Sequence, residues 1–96
     1  MKATLVYWHK ARLQDRYILE MAIHHIGKSS KYRDGIKYGL IFTDTKTSKR
    51  VLMDNHHPKG PHIHMDNREM PYEYLNEEKL IQDFKSLVLE QIGVKL

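Results

Sequence analysis

The sequence contains no cysteine. Disulfides, thiolate metal sites and cysteine nucleophiles are therefore excluded, and any reactive chemistry must come from His, Lys, Arg, Tyr or carboxylates. No apolar run approaches the ~18 residues that a membrane span needs, and Met1-Lys2-Ala3-Thr4-Leu5 lacks the longer apolar stretch of a secretion signal. The expectation is a cytoplasmic protein with no membrane contact. Phe and Trp are scarce, at two and one, and the chain has neither internal repeats nor low-complexity linkers. With 96 residues there is room for one core, so residues 1–96 should form a single domain.

What is present suits a folded protein: 41% hydrophobic and 29% charged residues argue against disorder. The net charge of +4 is unevenly spread. Residues 1–60 carry twelve Lys/Arg against five Asp/Glu, a balance of +7, whereas 61–96 carry four against seven, a balance of −3. Such a basic region attracts a polyanion through counterion release, although the same charges also keep a small domain soluble.

Residues 2–13, with Leu5, Val6, Tyr7 and Trp8, and residues 17–26 read as two strands joined by a Gln14-Asp15-Arg16 turn. Leu19, Met21 and Ile23 alternate with Glu20, Ala22 and His24, so the first set faces the core. Tyr7 and Trp8 are expected in the core or in a dimer interface. Residues 27–35 form a glycine-bounded basic loop, and Lys28, Lys31, Arg33 and the following Lys37 are its candidate nucleic-acid contacts. A third strand over 36–43 puts Tyr38, Leu40 and Phe42 on one face. A fourth covers 49–53, and a short fifth candidate covers 61–65, after the loop Asp54 to Gly60. Residues 66–71 carry no clear pattern, and 71–75 are expected to run extended into a helix.

That helix is the clearest element. Asn76 has N-cap chemistry, Glu77 and Glu78 suit the positive end of the helix dipole, and Leu75 with Leu80 has staple spacing. Leu80, Ile81, Phe84, Leu87, Val88 and Ile92 form one apolar stripe, and Gly93 stops it. The predicted fold class is α+β: an antiparallel sheet of four to five strands with one C-terminal amphipathic helix packed on one face. The other face and the sheet edges invite a second copy, so a homodimer is an expected partner state.

Four of the seven histidines, His56, His57, His62 and His64, fall within nine positions. On a strand, His62 and His64 share a face about 7 Å apart. Three roles fit this spacing. The pair can be polar residues on the solvent side of a strand, or metal ligands with Asp66 or His57 as a third, or acid/base groups near neutral pH. No strong four-ligand pattern appears, so neither a metal nor another cofactor is expected. Lys59 and Gly60 before the pair and Arg68 after it supply charge and close backbone approach for an anionic substrate. Each also has a bland role: a turn for Gly60, solvation for Lys59, surface pairing with Glu69 or Glu73 for Arg68. Tyr72 and Tyr74 can stack on bases, and Tyr74 is better read as a packing residue at the helix entrance.

Asp54-Asn55, then Lys59-Gly60-Pro61-His62-Ile63-His64, then Arg68-Glu69-Met70-Pro71-Tyr72, followed by a helix with Leu80-Ile81 and Asp83-Phe84, resembles the TumE family, toxin components of bacterial and archaeal toxin–antitoxin systems. The resemblance runs over nearly the whole chain and is most specific across 54–84. It implies a toxin whose characteristic positions are Lys59, Gly60, His62, His64, Arg68 and Tyr72, and whose partner is a cognate antitoxin protein. Chemistry adds the step to RNA. His62 and His64 would act as general base and acid of a metal-independent ribonuclease, Lys59 and Arg68 would stabilise the phosphate, and Tyr72 would position the substrate. The alternatives are a nucleic-acid- or protein-binding module without catalysis, and a metal-dependent hydrolase built on His62 and His64.

Overall fold

The computed structural model describes residues 4–96, with the side chains of Leu5 and Val6 outside the description. Six strands precede one helix: β1 (Thr4–Leu13), β2 (Tyr17–His25), β3 (Ile36–Asp44), β4 (Arg50–Asp54), β5 (His62–Met65), β6 (Arg68–Pro71) and α1 (Glu77–Ile92). The strands form one antiparallel sheet in the order of the sequence. The α+β architecture is as expected, with one strand more than the four to five anticipated. The first two residues of the expected 2–13 strand lie outside the described part.

The extra strand is β6. Four residues ending in proline give no alternating pattern of their own, yet an edge strand tolerates proline because its missing N–H need not serve a ladder. At the first turn Gln14 and Asp15 both adopt positive φ, 53° and 49°. This local twist matches that of a tight antiparallel hairpin.

Strand alternation sorts the sheet into two unlike faces. Leu19, Met21 and Ile23 of β2, Tyr38, Leu40 and Phe42 of β3, Val51 and Met53 of β4, and Ile63 and Met65 of β5 are all buried. The helix lays Leu80, Phe84 and Val88 against this face, over β3 and β4. Full burial of each such side chain is worth about 1.5–3 kcal/mol. A lone helix of 16 residues is marginal in water, so α1 depends on this docking. Its ends are secured as the sequence predicts. Asn76 Oδ1 accepts from the Lys79 N–H at 2.8 Å, and Gly93, at φ 82°, donates to the carbonyls of Leu89 and Val88.

The opposite face has no covering layer among the described residues. In-register rows cross it: Trp8, Ala22, Gly39, Asp54, His62 and Pro71 form one, and Lys10, Glu20, Ile41, Leu52, His64 and Glu69 the next. Trp8 is 57% exposed there, not in the core. It stands in the row of Ala22, on the face the helix does not reach, which rules out the core, one of its two expected places. Tyr7, one residue away, points to the covered side and packs on the core.

Candidate functional site

At the end of the uncovered face formed by β4, β5 and β6, two histidines meet two carboxylates. Antiparallel register sets His62 opposite Asp54 on one side and Pro71 on the other, and His64 opposite Leu52 and Glu69. Residues directly opposite across a ladder share a face, so four chemically active side chains from three strands converge.

His62 is the fixed member, and it is buried although its sheet face is open. Its Nδ1 lies 2.7 Å from the Gly60 carbonyl oxygen and its Nε2 lies 3.2 Å from Asp54 Oδ1. A carbonyl can only accept, so Nδ1 carries the proton and donates it to Gly60. Gly60 has φ 74°, a conformation open to glycine, which turns its carbonyl onto the ring. Asp54 is itself held, because its Oδ1 accepts the His56 N–H at 3.1 Å.

His64 is half-buried and meets His62 edge to face, with ring centroids 4.7 Å apart. Its Nε2 is 3.9 Å from Glu69 Oε1. Lys59 reaches over from the β4–β5 loop and donates to Glu69 Oε2 at 3.1 Å, with its Nζ 2.9 Å from Oε1. The Lys59 hydrogen bond holds the Glu69 carboxyl below its usual range, against a smaller opposing effect of burial. Two shallow hollows meet here, one of about 450 Å³ lined by Lys59, Pro61, His62, Glu69, Met70 and Pro71, and one of about 270 Å³ lined by Asp54, His56, His57, Pro58, Lys59 and His62.

Lys59, His62 and His64 are therefore brought together, whereas Arg68 and Tyr72 stand apart from them. Arg68 pairs with Met65, so its Cβ projects to the helix side of the sheet. Tyr72 packs against the core, and its hydroxyl donates to Asp83 on α1 at 2.6 Å. The four loop cations do not form one patch. Lys28 and Arg33 line a hollow of about 500 Å³ beside Tyr74 and the start of α1, Lys31 and Arg33 line another with His57, and Lys37 lies on the open face beside His24. Tyr74 has the packing role expected of it, stacking on Tyr38 with centroids 5.9 Å apart.

The residues that sequence reasoning did not bring to the site are Asp54 and Glu69. By sequence, Asp54 opens a loop and Glu69 is a surface partner for Arg68. Only the pairing of β5 with β4 and β6 sets them beside the histidines, and β6 has no signal of its own. Neither Asp66 nor His57, the expected candidates for a third ligand, joins His62 and His64. Asp66 sits exposed in the β5–β6 turn at φ 54°, and the exposed His57 donates its N–H to Tyr32 Oη. The ligand atoms that lie within 4.8 Å of one another are those of His62, His64 and Glu69.

Protein-family models, curated proteins and solved structures return no match to this chain. Its function must therefore be argued from the site. No helix among the described residues is long and apolar enough to cross a membrane.

Proposed function

We propose that this protein is an RNA-cleaving toxin of a toxin–antitoxin pair, working from the His62–His64 end of the uncovered sheet face. The observation that carries this proposal is the convergence of the buried His62, the half-buried His64 and Lys59 with Asp54 and Glu69 on a face that no other layer of the described residues covers. A polyanion can reach this face, and the basic balance of residues 1–60 favours its approach.

In phosphoryl displacement the attacking and leaving oxygens lie roughly in line on opposite sides of phosphorus. Two rings in edge-to-face contact leave no room for a phosphate between them. His62 and His64 thus work from one side of the substrate as a unit, with His64 nearer to solvent. Lys59 supplies positive charge to the phosphate once it exchanges Glu69 for the substrate. Arg68 and Tyr72 take no direct part. The cognate antitoxin would inhibit by covering this face.

The test is tightly controlled induction in a bacterial host of the wild type and His64→Ala, with total RNA profiled from each culture. His64 is partly exposed, so its truncation is compatible with folding, and equal soluble expression is checked by circular dichroism. Growth arrest with RNA fragmentation in the wild type and its loss in His64→Ala is the expected result. Intact RNA in both cultures, or arrest unchanged in the variant, would exclude the proposal.

A further inference from the structure

The same cluster also has the make-up of a metal-ligand set, with His62, His64 and Glu69 each offering a ligand atom within 4.8 Å of the others. His62 Nδ1 is fixed on the Gly60 carbonyl at 2.7 Å, and its Nε2 is aimed at the Asp54 carboxylate at 3.2 Å. The backbone carbonyl on Nδ1 is also the usual partner of a metal-ligating imidazole, where it fixes the tautomer and aims the other nitrogen at the ion. Glu69 completes the set, and its carboxylate is held by the Lys59 ammonium, a cation standing where a metal charge could stand.

We infer that His62 Nε2, His64 and Glu69 bind a divalent transition metal of the zinc class, with Asp54 as a second negative charge beside the His62 nitrogen. Two imidazoles and one carboxylate suit zinc, and three protein ligands leave a coordination position for water or substrate. Tetrahedral bonds of 2.0–2.1 Å put ligand atoms about 3.3 Å apart. The three ligand atoms lie within 4.8 Å of one another, and His64 Nε2 is 3.9 Å from Glu69 Oε1, so closing on an ion takes movements of an ångström or so. Glu69 is on an edge strand and partly exposed, and can make that movement by releasing Lys59. Lys59 would then be free to meet an anionic substrate beside the ion.

This inference deepens the RNA-cleaving proposal by giving the site its electrophile, and the ligand set can be tested separately from RNA. Full-length protein, stripped with chelator and dialysed, is titrated with zinc chloride by calorimetry. The wild type, Glu69→Gln, His64→Ala and the control His56→Ala, His57→Ala are compared, each checked for folding by circular dichroism. The expected result is one zinc per chain, weakened at least 10-fold in Glu69→Gln and His64→Ala and unchanged in the control. No saturable binding by the wild type, or binding lost only in the control, overturns it. RNA cleavage is then assayed with and without added zinc. Zinc bound at the site while RNA stays intact keeps the metal centre and removes the ribonuclease. Cleavage that persists undiminished in chelator keeps the ribonuclease and overturns the ion as its electrophile.

Discussion

Tyr72 Oη donates a 2.6 Å hydrogen bond to Asp83 Oδ2, tying the end of β6 to the second turn of α1. The Tyr72 N–H adds a bond to the Pro61 carbonyl at 3.1 Å, so one residue links β6, the entry to β5 and the helix. Burial, and then the Asp83 bond, push the phenol well above its usual pKa. Burial pushes the Asp83 carboxyl up, but Lys79 and Tyr72 together pull it below its usual value. Tyr72→Phe should lower stability by about 1 kcal/mol in urea unfolding and leave RNA cleavage intact. Lost cleavage at unchanged stability would return Tyr72 to the catalytic machinery.

Asn55 carries the start of β3. Buried in the β4–β5 loop, it accepts from the Tyr38 N–H and donates to the Ile36 carbonyl, both at 2.9 Å. Asn55→Ala strands a buried donor and a buried acceptor, so a loss of about 2–4 kcal/mol is expected. Thermal unfolding followed by far-UV circular dichroism reads it directly.

Tyr38 gives a prediction of opposite sign. Its hydroxyl is buried with no hydrogen-bond partner among the described residues, and burial pushes its pKa well up. Removing an unsatisfied group restores what its desolvation cost. Tyr38→Phe should therefore be neutral or stabilising by up to about 1 kcal/mol, whereas Tyr38→Ala, which also removes the ring stacked on Tyr74, should destabilise by about 3–5 kcal/mol. A clear loss of stability in Tyr38→Phe would reveal a partner for the hydroxyl.

Arg16 and Asp44 set an acid limit on stability. The guanidinium meets both carboxylate oxygens, Nε to Oδ1 at 2.9 Å and Nη2 to Oδ2 at 2.8 Å, and holds the Asp44 carboxyl far below its ordinary value of 3.8. A carboxyl whose pKa is lower folded than unfolded contributes stability above the unfolded value, and that contribution is lost as pH falls through the folded one. The melting temperature should hold from neutral pH to about pH 5 and decline below about pH 4, where the unfolded carboxyl takes up its proton. Asp44→Asn should begin less stable at pH 7 and show a shallower acid decline. Parallel declines in the two proteins would assign the acid limit to other groups.

Much of the fold was legible because it is written in local pattern. Alternation in β2 and β3 assigned their core faces, and the stripe from Leu80 to Ile92 with Asn76 and Gly93 at its ends fixed the helix within a residue or so. Trp8 was not legible. Its type suits a core or a dimer interface alike, and only its place on the face beyond the helix's reach excludes the core. Arg68 and Tyr72 looked like companions of the histidines because they are close in sequence. Strand parity sends Arg68 to the other side of the sheet, and the Asp83 bond takes Tyr72 to the helix.

The sequence by itself determined one α+β layer pair and the His62–His64 pair on a common face, since two-residue periodicity and helix capping are properties of neighbours along the chain. Only the tertiary structure decided what stands around that pair. Asp54 and Glu69 arrive through cross-strand register, and register depends on how whole strands pack rather than on any residue's own preference.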